Sequence, residues 1–298
     1  MKRLFTILTI CFFSLLLSTQ WAFANDKPTV FVSIVPQKFF VQQIGKDHVN
    51  VEVMVKPGAS PATYEPKSSQ MRQLASASAY FSIGVPFEHA WLDKISKVNP
   101  EMKVVHTDEG ITKLTMSKKK KKAKEKEHKE KSHDHKTGLD VHIWLSPLLV
   151  KIQAATVTDA LVKILPEKKA LFQQNFDLFA KKIDTLDNDL HTIFKEKKGM
   201  KFMVFHPSWG YFAHDYGLQQ VAVEVEGKNP KPAQLQKTIE KARKDDIHVI
   251  FVQPQFSTKN ATVVAREIKG EVIPINPLAE DWLSNMRVVA DKFQSALR

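Results

Sequence analysis

The segment LFQQNFDLFAKKIDTLDNDLHTIF, residues 171–194, is the strongest indication of how this chain folds. Its apolar residues recur at alternating steps of four and three, which keeps one apolar stripe along one side of an α-helix. The stripe consists of Phe172, Phe176, Phe179, Ile183, Leu186, Leu190 and Ile193. Polar residues such as Gln173, Asn175 and Asp184 lie between these positions, so we expect the opposite side of the helix to face water.

The flanking residues extend this predicted helix from Pro166 to Lys198. Proline suits the first turn of a helix, and Gly199 suits the left-handed residue that ends one. At ~1.5 Å per residue the helix would be roughly 50 Å long, which exceeds the size of one small lobe. Coiled coils show a similar spacing but sustain it over more heptads. We therefore expect a rigid helix that joins two lobes.

The segments on both sides of the helix alternate β-branched or aromatic runs with amphipathic helices, four strand–helix units on each side. This alternation predicts an α/β fold in which each lobe is a mainly parallel sheet flanked by helices. We divide the chain into residues 25–165, the linking helix 166–198, and residues 199–298. Ligands of such sheets bind beyond the carboxyl ends of the strands, so a cleft between the two lobes is the expected site.

Residues 1–24 have the features of a secretory signal peptide. Lys2 and Arg3 precede an apolar run from residue 4 to residue 17, and the triplet at 22–24 is Ala-Phe-Ala. The alternative, a membrane anchor, needs a span of ~20 apolar residues. We expect cleavage near Ala24 and export of the mature chain. Cleavage removes Cys11, the only cysteine, so a metal site in the mature chain would use nitrogen and oxygen ligands.

The formal net charge of +12 is concentrated in two segments. Lys2 and Arg3 contribute +2, and residues 118–136, with ten lysines and four acidic residues, contribute +6, which leaves +4 for the rest. Such a moderate charge does not indicate a nucleic-acid partner. The surrounding segment 116–138 is expected to be a mobile loop that carries His133 and His135.

Two histidines flank the long helix in chain order. His206 directly follows the predicted strand 202–205, and His142 lies in the short apolar run 140–145. Trp144 and Trp209 follow them closely, and can either wall a dry pocket or belong to the core. No nucleophile, base and acid occur in a catalytic arrangement, so we predict no catalytic residues and no enzyme.

Five motifs resemble those of one family, the periplasmic substrate-binding proteins of zinc and manganese ABC transporters (cluster A-I, the ZnuA-like group). DVHIWLSP at 140–147 resembles DPHxWLDP, and HPSWGYFAHDYGL at 206–218 resembles HxxxGYFxxxYGL. FVQPQF at 251–256 resembles FxEPQF, NPL at 276–278 resembles DPL, and PGASPATYEP at 57–66 resembles PGxxPHTYEP. The resemblance covers nearly all of the mature chain.

This resemblance implies a periplasmic protein whose cleft holds a divalent metal for delivery to an ABC permease. Imidazole nitrogen favours zinc first, with manganese as the alternative, and we expect a monomer. His142 and His206 match the second and third metal positions of the family. Ala62 occupies the first position, where the family has histidine, and Asn276 the fourth, which is an acid in many members. Gln253 replaces the glutamate of the EPQF segment. The candidates for lining the cleft are Ala62, Gln253, Trp144 and Trp209.

Two imidazoles are an incomplete zinc site, because zinc in proteins is usually bound by three or more side chains. Three completions remain open. Asn276 with water, or nearby Glu65, forms a weaker site; the loop lends His133 or His135; or the metal site has degenerated, and the cleft binds a chelated or non-metal ligand. A surface adhesion or interaction module is the remaining class of function.

Overall fold

The computed structural model describes residues 27–116, 138–224 and 230–297. In these ranges the chain forms two four-stranded sheets, in which every pair of neighbouring strands is parallel, and nine α-helices. The predicted α/β class with two similar lobes is confirmed. Among these helices, none combines the length and apolar character needed to span a bilayer.

The first lobe contains a sheet with the strand order β2-β1-β3-β4. Its strands are β1 Thr29–Val32, β2 Asn50–Val53, β3 Ala79–Ser82 and β4 Lys103–His106, and its helices are α1 Val35–Gly45, α2 Ser68–Leu74, α3 Pro86–Val98 and α4 Pro147–Ile164. The central strands are buried on both faces, as expected for a parallel sheet covered by helices.

The second lobe repeats this arrangement with the strand order β6-β5-β7-β8. After the long helix α5 Lys169–Phe194, its elements are β5 Lys201–Val204, α6 Gly210–Asp215, β6 Gln219–Ala222, α7 Pro232–Lys244, β7 Val249–Val252, α8 Lys259–Glu267, β8 Glu271–Pro274 and α9 Trp282–Ala296. The first strand of each lobe lies inside its sheet, so the carboxyl ends of the inner strands β1, β3, β5 and β7 are flanked by further strands.

The long helix α5 is shorter than the predicted range 166–198. Single 3₁₀ turns at Pro166–Lys168 and Lys195–Lys197 replace its first and last turns. The apolar stripe is buried at Phe172, Phe179, Ile183, Leu186 and Leu190, and half-buried at Phe176 and Ile193. Asn175, expected to face water, is instead 8% exposed, and its side-chain amide donates to the Ile44 carbonyl at 2.8 Å.

One hydrophobic core is continuous across both lobes. Phe179 of α5 packs against Phe40 of α1, and Phe40 meets Trp282 of α9 edge-to-face with ring centroids 5.5 Å apart. A separate cluster, which includes Met203 and Val264, lies on the other face of the second sheet. The helix α5 therefore lies within a core shared by the two lobes.

Several predictions concern residues outside the described ranges. They are the signal peptide at residues 1–24 and most of the lysine-rich loop, including His133 and His135. These predictions remain predictions, as do the domain boundaries drawn from the sequence.

Candidate metal centre

His206 lies just beyond the carboxyl end of β5, an inner strand of the second sheet. Gln253, which follows β7, fixes the backbone of His206 on both sides. The His206 N–H donates to Gln253 Oε1 at 3.2 Å, and Gln253 Nε2 donates to the His206 carbonyl at 2.7 Å. Gln253 is 1% exposed. The expectation that its side chain lines the cleft is therefore corrected: this amide is a buried brace behind the histidine.

His142 lies between β4 and α4, in a segment that hydrogen-bonds to the second lobe on both sides of it. Tyr211 Oη donates to the carbonyl of Asp140 at 2.9 Å. Trp144 Nε1 donates to the carbonyl of Pro277 at 2.7 Å, and Trp282 Nε1 donates to the carbonyl of Trp144 at the same distance. These bonds fix the position of His142 relative to the second lobe.

The two imidazoles meet in the cleft. The Nε2 atoms of His142 and His206 are 3.3 Å apart, and the ring planes are inclined by 72°. Two nitrogens bound to one zinc ion at ~2.0–2.1 Å with a tetrahedral angle would be roughly 3.3–3.4 Å apart. The observed distance between the two Nε2 atoms therefore matches that between two nitrogen ligands of a tetrahedral zinc ion.

A carboxylate contacts the second nitrogen of each ring. Asp140 Oδ1 lies 2.7 Å from His142 Nδ1 and also accepts the His142 N–H at 2.9 Å. Glu224 Oε2 is hydrogen-bonded to His206 Nδ1. Gly210 makes room for Asp140, because a Cβ atom there would lie 2.4 Å from Asp140 Oδ2. A carboxylate behind a metal-binding histidine fixes the ring orientation and raises its basicity.

Each of the two histidine rings packs against one aromatic side chain. The Phe256 ring stacks on His206 with centroids 4.7 Å apart, and the Trp144 ring lies 5.2 Å from that of His142. Burial lowers the pKa of His206 below its ordinary value, and the hydrogen bond to Glu224 opposes this shift. A lowered pKa favours the neutral imidazole at pH 7, the form that binds metal.

The other sequence candidates differ in burial and hydrogen bonding. Ala62 and Glu65 are exposed in the loop between β2 and α2. Asn276 follows β8, and its Oδ1 accepts the Leu278 N–H at 3.0 Å within its own turn. Trp209 is fully buried against Phe212 and Phe293, so it belongs to the core and does not wall the cleft.

Within residues 27–116, 138–224 and 230–297, no group of three or more His, Cys, Asp or Glu side chains is placed to hold a metal ion. The described part of the chain therefore offers two imidazole nitrogens, with the two carboxylates behind them.

The hydrogen bonds of Asp140 and Glu224 to the two histidines were not predicted from the sequence. The position of Asp140 could have indicated its role, since an acid two residues before a histidine can reach both the backbone N–H and the ring of that histidine. The position of Glu224 gave no such indication, because it is eighteen residues from His206 and meets it only through the pairing of β5 with β6.

A second buried polar cluster lies at the carboxyl edge of the first sheet. Glu88, which is 4% exposed, accepts the N–H groups of Ile83 at 3.0 Å and Gly84 at 2.8 Å, and Ser33 donates its hydroxyl to it. The Tyr80 hydroxyl lies 2.7 Å from the Ser33 hydroxyl. Burial raises the pKa of Glu88 to about 7, and these hydrogen bonds oppose the shift.

The raised pKa of Glu88 predicts a pH-dependent stability. Between the ordinary carboxyl pKa of 4.5 and about 7, the folded chain holds a proton that the unfolded chain has lost. This contribution to the free energy of unfolding is therefore present at pH 4.5 and is lost as pH rises through 7. We compare the free energies of unfolding of Glu88→Gln and wild type. From pH 5 to pH 8, we expect their difference to shift by about 3 kcal/mol in favour of the variant.

Urea unfolding at both pH values measures this difference, and the exposed Glu101→Gln serves as the control. An equal effect of Glu88→Gln at pH 5 and pH 8 would show that Glu88 is not the responsible group.

Comparisons with known proteins show which family the chain belongs to. The family model described as "ZnuA: Zinc-uptake complex component A periplasmic" matches residues 30–296. The chain is 28% identical to the high-affinity zinc uptake system protein ZnuA of Bacillus subtilis over 256 residues, covering 85% of this chain and 79% of that protein.

Two solved structures are also similar. A crystal structure of ZnuA is 38% identical, with a TM-score of 0.83, and the match covers 92% of this chain and 100% of that one. A ZnuA deletion mutant with zinc bound is also 38% identical, with a TM-score of 0.81, over 91% of this chain and 98% of that one. Since the family model matches nearly the whole described chain, the protein belongs to the ZnuA family of periplasmic zinc-uptake components.

Proposed function

We propose that this protein captures a zinc ion between His142 and His206 and delivers it to the permease of an ABC importer. The observation that carries the proposal is the 3.3 Å separation of the two Nε2 atoms, which suits tetrahedral zinc. The zinc-bound structure of a 38% identical relative supports the same ligand class. Imidazole nitrogen also favours zinc over manganese, which prefers carboxylate and water.

The protein acts as a binding component and not as a catalyst. It works outside the cytoplasmic membrane, after cleavage of the signal peptide near Ala24, and as a monomer. Water or a small anion completes the coordination sphere, because Ala62 offers no ligand atom and Asn276 Oδ1 is engaged in its own turn. An open coordination position suits a carrier, since an incoming ligand of the permease can displace water without first breaking a protein–metal bond.

Calorimetric titration of the metal-free mature chain tests this function. We expect one zinc ion per chain and weaker binding of Mn²⁺. The double variant His142→Ala/His206→Ala is the reference for binding elsewhere, including to the lysine-rich loop. Zinc binding of equal strength in wild type and double variant would exclude the cleft as the metal site.

A further inference from the structure

We propose that Glu224 is a positioning residue for zinc capture: its carboxylate directs the Nε2 lone pair of His206 toward His142. Together with Asp140, it also supplies the negative charge that residues 62, 253 and 276 do not provide. The inference rests on the proposed function and adds to it how an incomplete set of ligands is prepared for a dication.

The backbone places Glu224 directly beside His206. Beyond the end of β6, the Val223 N–H donates to the Val204 carbonyl at 2.9 Å, and the Glu224 N–H donates to the Phe205 carbonyl at 3.0 Å. Phe205 immediately precedes His206. This extension of the strand pairing therefore places the side chain of Glu224 beside that of His206. The Glu224 side chain is 5% exposed, which shields its bond to Nδ1 from water.

This bond decides which nitrogen of His206 carries the proton. An ionised carboxylate only accepts hydrogen bonds, so Nδ1 must be the protonated nitrogen, and Nε2 keeps a free lone pair. Asp140 imposes the same arrangement on His142. Two lone pairs facing each other at 3.3 Å repel unless a cation or a proton lies between them. The carboxylates thus prepare a cleft that a cation stabilises.

The same carboxylates explain how the site tolerates its neutral substitutions. Alanine, glutamine and asparagine at positions 62, 253 and 276 place no negative charge next to the metal. Asp140 and Glu224 place two negative charges one imidazole ring behind it, which matches the charge of a divalent ion. At this distance, in a largely buried site, charges interact more strongly than they do in water.

Two substitutions of Glu224 separate orientation from charge. Glu224→Gln keeps an oxygen that accepts from Nδ1 but removes the charge, whereas Glu224→Ala removes both. We expect zinc affinity to fall about 10-fold in Glu224→Gln and about 100-fold in Glu224→Ala, the range typical of partners behind metal-binding histidines. The matched controls are Glu240→Gln and Glu240→Ala, because Glu240 of α7 is exposed. Both control variants should bind zinc as tightly as wild type does.

The second measurement needs no metal. Nitrogen-15 NMR of the histidine side chains distinguishes a ring protonated at Nδ1 from one protonated at Nε2. We expect His206 to carry its proton on Nδ1 in metal-free wild type and Glu224→Gln. In Glu224→Ala, a substantial fraction should shift to Nε2–H. A merely structural role for Glu224 would lower the thermal midpoint without moving this proton.

The outcomes distinguish this inference from the proposed function. If wild type fails to bind zinc while the proton of His206 moves as described, the proposed function fails, the role in zinc capture fails with it, and only the orientation of His206 by Glu224 stands. An unchanged His206 tautomer in Glu224→Ala overturns the positioning role, whatever the zinc affinity. Glu224→Ala binding zinc as tightly as wild type, while His206→Ala does not, also overturns it.

Discussion

Replacing His206 by alanine is expected to weaken zinc binding by at least about 100-fold and to leave the fold intact. The variant loses one of the two imidazole nitrogens in the cleft, and a lost ligand should cost more than the ~10–100-fold typical of a lost partner behind it. His206 lies at the cleft and belongs to neither hydrophobic cluster, so its removal leaves the packing of those clusters in place. Competition with a chelator of known affinity measures the change.

His142→Ala should have an equal effect, because both rings hold the same ion. The double variant should lose little more than either single one, as expected for residues that act as a unit. His214→Ala is the control, since its side chain is 66% exposed and pairs with Asp215 on the surface. If His206→Ala retained wild-type affinity while His142→Ala lost it, the paired site would be wrong.

Phe179→Ala is expected to lower the free energy of unfolding by about 3–5 kcal/mol, the cost of emptying a large buried aromatic site. Phe179 lies midway along α5 and is 1% exposed. Its ring contacts Phe39 edge-to-face at 5.9 Å and lies 6.1 Å from Phe40, both on α1. The substitution therefore removes one of the contacts through which the long helix packs against the first lobe.

Leu178→Ala is the matched control for this prediction. Leu178 is the preceding residue on the same helix but is 52% exposed, so its loss should change the free energy of unfolding by less than about 1 kcal/mol. Guanidinium unfolding of metal-free protein measures both. Equal destabilisation by the two substitutions would contradict the assignment of the stripe to the core. Zinc affinity should be unchanged in both variants, since these residues contact neither His142 nor His206.

Local sequence patterns were sufficient for most of the fold. The spacing from Phe172 to Ile193 predicted α5, and the regular alternation of strand and helix predicted two parallel sheets. The predicted range 166–198 was too long by about one turn at each end. The 3₁₀ turns at Pro166–Lys168 and Lys195–Lys197 have the residue composition of helix ends, so the sequence does not distinguish them from α-helix. Asn175 was assigned to the solvent-facing side of the helix. Its hydrogen bond to the carbonyl of Ile44, which is 131 residues away in the chain, cannot be predicted from the spacing of apolar residues.

For the site, the motifs identified the candidate histidines but not their surroundings. Gln253 and Trp209 were candidates for lining the cleft, yet both are buried. A motif gives the position of a side chain along the chain, whereas its direction depends on which neighbours fill the space around it. The hydrogen bonds of Gln253 to His206 and the packing of Trp209 on Phe293 become visible only in three dimensions.

The α/β class, the long helix and the two candidate histidines, His142 and His206, can be predicted from the sequence, because periodicity and motifs are properties of neighbouring residues. The 3.3 Å separation of the two Nε2 atoms and the hydrogen bonds of Asp140 and Glu224 to the opposite nitrogens are known from the folded chain alone. Those relations depend on strand pairing and on hydrogen bonds between the lobes, which bring together residues that are distant in the chain.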